Sequence, residues 1–267
     1  MILPHRPCLD VAFSPTVDRE TSVPQEKTQA VVLHGVDFSE SSRIITFLTP
    51  ARGRIACIGK GVRRKNSGLA GVLDTCNRVE LVYYWKEGRQ VHPLAEATLL
   101  DGYPALRSNL ERSCFAQWPM ELVYRVAHDN EPSEALFEAL TEGLDGLSRW
   151  TGSARLHACW QIMRLLDAAG FAPSMDVCVR CGEPVTESQF GFSLEGGVTC
   201  AACPRDRRLT RAGLDLLGAL QDSSVSCPEQ LGEEPAEREV FDTLAAFASY
   251  QLESDFKSVR VLKQVFD

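Results

Sequence analysis

The chain has 267 residues, of which 44% are hydrophobic and 24% are charged. This composition is typical of a globular protein and excludes wholesale disorder, a collagen-like repeat and a long coiled coil. No stretch approaches the ~18 uninterrupted apolar residues that a membrane span needs, and residues 1–13 lack the pattern of a signal peptide. We therefore expect a cytoplasmic protein of about two domains.

The net charge of -8 is distributed unevenly along the chain. Residues 27–96 carry 11 Lys and Arg against 6 Asp and Glu, whereas residues 97–267 carry 15 against 26. Because a charged ligand responds to the local electrostatic potential of the surface that it meets, the negative net charge of the whole chain does not exclude a nucleic-acid ligand. The distribution predicts that the N-terminal part binds a polyanion and that the acidic remainder mainly positions partners.

The N-terminal third has the pattern of a small barrel behind a flexible tail. Residues 1–27 contain four prolines and no periodic pattern, and short strands separated by glycine and polar residues begin at Thr28. Five such strands within residues 28–100 can close into an oligonucleotide-binding (OB) barrel, although an SH3-like barrel would give a similar pattern. The predicted strands are 29–34, 43–49, 54–59, 78–85 and 91–98.

Six cations flank the third predicted strand. They are Arg52, Arg54, Lys60, Arg63, Arg64 and Lys65. Such a patch suits nucleic acid, because neutralising phosphates releases counterions without reading the base sequence. A solvated loop is the alternative reading of a cationic run taken alone. The neighbouring glycines do not match the spacing of a nucleotide-binding phosphate loop, so we do not predict an NTPase.

Aromatic residues on the same barrel are candidates for stacking on bases. Because side chains alternate between the two faces of a strand, some of them must face the barrel core. Tyr83 and Trp85 share one face, and Tyr84 lies on the other. The five candidates are Phe38, Phe47, Tyr83, Tyr84 and Trp85.

Residues 101–267 have apolar side chains at helical spacings of three and four, which predicts an all-helical domain. Pro119 is expected to break or kink the first long helix. A helix over residues 156–169 should end at Gly170, and Thr210 is expected to cap a later helix. One predicted helix carries a clear apolar stripe, formed by Leu136, Phe137, Leu140, Leu144 and Leu147.

Two Cys-x-x-Cys units interrupt the helical domain. Cys178 and Cys181 form the first unit, Cys200 and Cys203 form the second, and 18 residues separate them. This spacing is typical of a structural zinc site, so we expect one Zn²⁺ per chain in an insert over residues 174–209. Four thiolates leave no open coordination position, which argues against a zinc hydrolase. A metal-free remnant and a redox pair are the alternatives.

No pattern in the chain predicts catalysis. The five histidines are scattered, and none belongs to a Ser/His/Asp or His-Glu-x-x-His arrangement. We therefore expect a binding protein and not an enzyme.

Taken together, these motifs resemble the RecO family of bacterial DNA repair and recombination proteins. The resemblance covers about 240 residues and leaves out only the tail, residues 1–27. It is carried by a helix that ends in Gly170-Phe171-Ala172-Pro173, directly before the cysteine framework, and by the barrel residues Gly53-Arg54 and Lys60-Gly-Val-Arg-Arg. Each motif alone is weak, but the combination is specific.

The resemblance implies an OB-fold domain, a helical domain and a zinc-binding insert. It also implies binding of single- and double-stranded DNA, annealing of complementary strands, and help in loading RecA onto DNA coated with single-strand binding protein (SSB). The implied partners are RecR, RecF, the acidic C-terminal tail of SSB and, indirectly, RecA, at the nucleoid in the cytoplasm. Two alternatives remain at this stage: a zinc-containing OB module for RNA, and a scaffold whose barrel binds protein.

The acidic tail of SSB would need cations beside apolar helix residues. Composition alone does not choose among the arginines of the helical domain. The candidates are Arg155, Arg164, Arg180, Arg205, Arg207, Arg208 and Arg211.

Overall fold

The structure is a computed structural model that describes residues 24–65, 67–185, 190–222 and 233–266. The predicted tail therefore lies outside the described residues as far as residue 23. Residues 25–27 belong to the first strand, because they pair with residues 82–84 of a neighbouring strand. The first strand thus begins three residues before the predicted start of the barrel domain.

The N-terminal part is a closed barrel with the strand order β1-β2-β3-β5-β4. The first strand pairs antiparallel with both the second and the fourth, whereas the third and fifth pair in parallel. This is the order of an OB barrel, so the predicted fold is confirmed over the SH3-like alternative. The strands are β1 (Gln25–Asp37), β2 (Arg43–Thr49), β3 (Gly53–Gly59), β4 (Arg78–Tyr84) and β5 (Val91–Asp101).

Strand β1 contributes to two hydrophobic cores. Ala30 and Val32 belong to the barrel core, whereas Val31 and Leu33 belong to the core of the helical domain. Successive side chains of a strand point to opposite faces, so one strand can serve both cores. The barrel and the helical domain therefore share an apolar interface, and separating them would expose apolar side chains such as Val31 and Leu33 to water.

The C-terminal part is helical, as predicted, and every member of the predicted apolar stripe is buried. Among the described residues, no helix is long and apolar enough to cross a lipid bilayer. The helices are α1 (Pro104–Arg107), α2 (Leu110–Val126), α3 (Glu134–Arg149), α4 (Ala154–Ala168), α5 (Arg211–Gln221), α6 (Glu234–Gln251) and α7 (Lys257–Phe266).

Pro119 was expected to break or kink the first long helix, and the break is wrong, because α2 continues through this residue. Proline removes the N–H that would bond to the carbonyl of Phe115, at a cost of about 3 kcal/mol in a helix interior. Phe115, Trp118 and Leu122 are almost completely buried around it. Burying each large side chain stabilises the helix by roughly 1.5–3 kcal/mol, which offsets the cost of the proline.

The predicted ends of two other helices are confirmed. Gly170 follows α4 with φ +78°, and the N–H of Phe171 donates to the carbonyl of Leu166 over 2.7 Å. The left-handed conformation of Gly170 and the hydrogen bond across five residues form a Schellman C-cap, which favours glycine at this position. The hydroxyl of Thr210 accepts a hydrogen bond from the N–H of Gly213 over 3.1 Å and so caps α5.

The cysteine insert contains a β-hairpin and one further short strand. Strands β6 (Phe190–Ser193) and β7 (Gly197–Cys200) pair antiparallel, and β8 (Arg207–Arg208) adds to the other edge of β6. Phe192 is buried and lies edge-on to Phe247 of α6, with ring centroids 5.6 Å apart. The insert is therefore packed on the helical domain.

Burial of His157 predicts a loss of stability at acid pH. The side chain is buried in α4 beside Trp150 and Trp160, and burial lowers its pKa to about 4. An unfolded histidine has a pKa of about 6.5, so the unfolded chain takes up the proton first as the pH falls. This group should therefore contribute its full stabilisation above pH 6.5 and lose about 3 kcal/mol of it by pH 4.

Urea unfolding at several pH values measures this contribution when wild type is compared with His157→Met. The methionine variant should lose less stability between pH 7 and pH 4, and the difference between the two profiles should approach the loss expected for His157. Parallel profiles would contradict the assignment.

Candidate metal centre and nucleic-acid interface

The structure brings the four cysteines of the insert together. One potential ligand atom from each of Cys178, Cys181, Cys200 and Cys203 lies within 4.8 Å of the others. The sulfurs of Cys181 and Cys200 are 3.8 Å apart. Four sulfurs at ~2.3 Å from one tetrahedral ion would be about 3.8 Å from one another, so the cluster can close on a metal with small movements.

The ionisation of these thiols also suits a cation site. Burial raises the pKa of Cys178, but hydrogen bonds from the backbone of Cys200, Arg180 and Cys181 lower it to about 6. The hydrogen bond to Cys181 and burial raise the pKa of Cys203 to about 12. Adjacent thiolates repel one another, so without a cation they do not all ionise near neutral pH. A divalent cation removes this repulsion and displaces the remaining protons.

Backbone contacts and α6 hold the cluster in place. Ser174 exchanges hydrogen bonds with the hairpin turn, and Gly197 has φ +135°. A Cβ added at Gly197 would overlap the carbonyl of Ser174, so this crossing requires glycine. The side-chain amide of Gln251 donates to the carbonyls of Leu194 and Glu195 over 2.8 and 3.1 Å. The insert is thus anchored on both sides of its hairpin turn.

The six cations predicted to bind DNA fall into two groups at opposite ends of β3. Arg52 and Arg54 lie at the turn from β2 and at the start of β3, whereas Lys60 and the following cations come after its last residue. A strand of this length spans about 20 Å at ~3.3 Å per residue. The structure therefore does not bring all six together in one patch.

Arg54 lies at the junction between the barrel and the helical domain. Its guanidinium group is 2.6 Å from the carboxylate of Asp129, donates to the carbonyl of Tyr124 and lies 5.3 Å from the ring of that tyrosine. Its backbone also exchanges hydrogen bonds with His128 and Asn130. These contacts join β3 to the segment that follows α2.

Arg52 is held within the barrel surface. It makes two hydrogen bonds to the carboxylate of Glu26, at 2.6 and 3.2 Å, and its guanidinium carbon lies 4.1 Å from the ring centroid of Trp85. Burial opposes ionisation of Glu26, but hydrogen bonds from Arg52 and from the hydroxyl of Tyr83 lower its pKa. The charge of Arg52 is therefore balanced by a carboxylate that remains ionised.

The second group forms a surface with the turn between β1 and β2. Arg63 donates to the carbonyl of Ser39 over 2.9 Å and lies 3.2 Å from the carboxylate of Asp37. Lys60, Arg64 and Lys65 are exposed and, within the described residues, make no ion pair. We call this surface, formed by residues 37–42 and 60–65, the two-loop surface. Its three unpaired cations are available to phosphates.

Only some of the candidate stacking aromatics are accessible. Phe47 and Tyr83 are buried in the barrel core, and Trp85 lies against both Arg52 and His92, whose ring centroid is 4.3 Å away. Tyr84 is 36% exposed at the end of β4, whereas Phe38 is 63% exposed in the two-loop surface. Strand alternation separated Tyr83 from Tyr84 correctly, but it could not place the turn residue Phe38.

A groove of about 530 Å³ lies where the barrel meets the helical domain. Leu33 of β1, Met120 of α2 and Val261 of α7 provide apolar walls, and Arg125 and Lys257 also line it. We call it the junction groove. Sequence analysis missed it because its walls come from three elements that are distant along the chain.

The charge in the junction groove is predominantly positive. The carboxylate of Glu121 accepts hydrogen bonds from Arg125, from the hydroxyl of Ser258 and from the backbone N–H groups of Lys257 and Ser258. Burial raises the pKa of Glu121, but these donors outweigh burial and lower it. The side chain of Lys257 is exposed and, in the part of the chain that the structure describes, has no ion pair.

The arginines named from composition do not line this groove. Arg155 donates to the carbonyl of Phe266 in a smaller pocket that also contains Glu111, Glu234 and Glu237. Arg180 pairs with Glu195, and Arg211 pairs with Asp215. Three glutamates around Arg155 make that pocket unfavourable for an acidic peptide.

A closed OB barrel joined to a helical domain with a four-cysteine insert defines the class of two-domain protein to which this chain belongs. Two family models match it: "Recombination protein O N terminal" over residues 23–103 and "Recombination protein O C terminal" over residues 107–260. The chain is 33% identical over 247 residues to the DNA repair protein RecO of Anaeromyxobacter sp. (strain K), which covers 90% of this chain and 96% of the relative. It is 30% identical over 245 residues to the DNA repair protein RecO of Roseiflexus sp. (strain RS-1), covering 90% and 85%.

The chain therefore belongs to the RecO family of DNA repair proteins, as its motifs predicted.

Proposed function

We propose that this protein is a mediator of recombinational DNA repair in the RecF pathway. It binds single- and double-stranded DNA, anneals complementary strands and helps to load RecA on SSB-coated DNA. The observation that carries the proposal is the group of three unpaired cations in the two-loop surface of an OB barrel, in a chain of the RecO family. Its work is binding and positioning, with no catalytic step. It acts at the nucleoid, with RecR as partner and with RecF.

The four-cysteine cluster holds one structural Zn²⁺ in this proposal. An all-sulfur donor set whose atoms lie within 4.8 Å of one another suits zinc, and complete thiolate coordination leaves no position for a substrate. The metal stabilises the insert and, through Phe192, its packing on α6. It has no role in a chemical reaction.

The junction groove is the proposed site for the acidic C-terminal tail of SSB. An acidic peptide with aromatic side chains needs cations beside an apolar floor. Lys257 supplies a charge that is unpaired within the described residues, and Arg125 supplies a second cation that is shared with Glu121. Leu33, Met120 and Val261 supply the apolar contact. Because the groove is built from both domains, SSB is held close to the barrel that binds its DNA.

Annealing of complementary oligonucleotides, naked and SSB-coated, tests both parts of this proposal. Combined Lys60→Ala, Arg64→Ala and Lys65→Ala should slow annealing of both substrates roughly tenfold or more, since three phosphate contacts are lost. Val261→Glu should slow only annealing of SSB-coated strands, because its carboxylate repels the tail. Val265→Glu is the matched control, since Val265 is an exposed valine of the same helix outside the groove.

Each outcome against the proposal identifies one alternative. Annealing at the wild-type rate by the triple variant would indicate that the basic loop is merely solvated. Tighter binding of structured RNA than of DNA would favour an RNA-binding module. Equal effects of Val261→Glu and Val265→Glu would place the SSB site elsewhere.

A further inference from the structure

Phe38 occupies an unusual position for a large apolar side chain. It lies between β1 and β2 with 63% of its surface exposed, and Val36, two residues earlier, is 54% exposed. Exposing a phenylalanine forgoes roughly 1.5–3 kcal/mol of burial, and within the described residues no ring contact to Phe38 is found. Folding stability therefore does not explain why a phenylalanine occupies this exposed position.

Hydrogen bonds hold the backbone around Phe38. The N–H groups of Phe38 and Ser39 both donate to the carbonyl of Ser42, over 3.1 and 3.3 Å. The N–H of Ser42 in turn donates to the hydroxyl of Ser39 over 3.2 Å. The turn is thus closed on itself, and the backbone that carries the exposed ring is restrained.

The basic loop is fastened to the same turn. The backbone N–H of Arg63 donates to the carbonyl of Ser41 over 3.2 Å, and its side chain bonds to Ser39 and Asp37. Arg63 therefore acts as a structural clamp between the two loops. It keeps Phe38 and the unpaired cations Lys60, Arg64 and Lys65 within one surface.

We propose that Phe38 stacks on an unpaired base and makes the two-loop surface selective for single-stranded over duplex DNA. An exposed ring on a restrained turn loses little entropy on binding, and the adjacent cations position the phosphates of the same strand. In a duplex the bases are already stacked on one another, so the ring has no free base face to contact. The inference rests on the proposed function and assigns a strand preference to its surface.

The test compares binding of a labelled oligo(dT) and of a duplex of the same length by the full-length protein. Phe38→Ala should weaken binding of the single strand about tenfold, which corresponds to about 1.4 kcal/mol. Binding of the duplex should change less than about twofold, and the salt dependence should stay the same because no phosphate contact is lost. Phe38→Trp should restore single-strand affinity, and its added fluorescence should be quenched on binding.

Tyr250→Ala is the matched control, because it removes an exposed aromatic ring from α6, outside the barrel. It should leave both affinities unchanged. An equal loss on single strand and duplex in Phe38→Ala would mean that the ring only supports the loops. No loss on either would mean that it faces a protein partner. A wild-type protein that binds no DNA would overturn the proposed function as well, whereas the other two outcomes overturn only the role of Phe38.

Discussion

Replacement of Cys178 by serine is expected to abolish zinc binding and to open the insert while leaving the barrel folded. Cys178 is the most buried of the four cysteines, and its thiolate has the strongest support from backbone donors. Structural zinc contributes on the order of 10 kcal/mol to folding in zinc-finger peptides, so its loss should exceed the effect of a typical core substitution. Elemental analysis should give one zinc per wild-type chain and close to none for the variant.

Hydrogen exchange locates the effect of the lost metal. Amide protection should fall throughout the described residues of the insert and around Phe247, which packs on Phe192, but not in β1–β5. Cys114→Ser is the matched control, because this half-buried cysteine of α2 lies outside the cluster. Wild-type protein without zinc when purified in the absence of chelators, or unchanged protection in Cys178→Ser, would contradict the metal assignment.

Single-strand affinity is expected to fall with salt at a log–log slope of about -2, since three unpaired cations contribute ~0.7 each. Combined replacement of Lys60, Arg64 and Lys65 by alanine should remove most of this slope. At ~0.1 M salt each contact contributes a factor of about 5, so the triple variant should bind about 100-fold more weakly. Fluorescence anisotropy across a salt titration measures both quantities.

A second triple variant controls for net charge. Arg149, Arg208 and Arg260 are exposed on the helical side and, among the described residues, make no ion pair. Their replacement by alanine changes the charge equally and should leave the slope near -2. A wild-type slope of -3 or steeper would instead mean that Arg52, Arg54 and Arg63 exchange their carboxylate partners for phosphates on binding.

The local features of this protein were accessible from its sequence. Alternating apolar residues located all five barrel strands, and the capping residues Gly170 and Thr210 ended and began helices as predicted. The spacing of the four cysteines predicted a cluster that the hairpin β6–β7 closes. These signals are readable because they depend on neighbours within a few residues or on a ligand set with a fixed spacing.

Tertiary packing keeps α2 helical at Pro119, although proline disfavours a helix interior. The side chains buried around this proline stabilise the continuous helix.

Helix α7 was not predicted. Only Val259 and Leu262 are buried in it, so its pattern of apolar residues is short. The first N–H groups of α7, those of Lys257 and Ser258, donate hydrogen bonds to the carboxylate of Glu121. Glu121 lies in α2, more than 130 residues earlier, so no local sequence pattern indicates these hydrogen bonds.

The sequence by itself thus indicated a five-stranded barrel, a helical domain, the cysteine cluster and the set of cations to which DNA could bind, whereas the strand order of the folded chain distinguished the OB barrel from an SH3-like one. Tertiary structure decided which members of that set are free. Arg52, Arg54 and Arg63 meet Glu26, Asp129 and Asp37 in ion pairs, whereas Lys60, Arg64 and Lys65 meet no carboxylate in the described residues. Tertiary structure also created the junction groove from β1, α2 and α7. The physical reason is that charge pairing and concave surfaces depend on distances between side chains far apart in the chain, and only the folded backbone sets those distances.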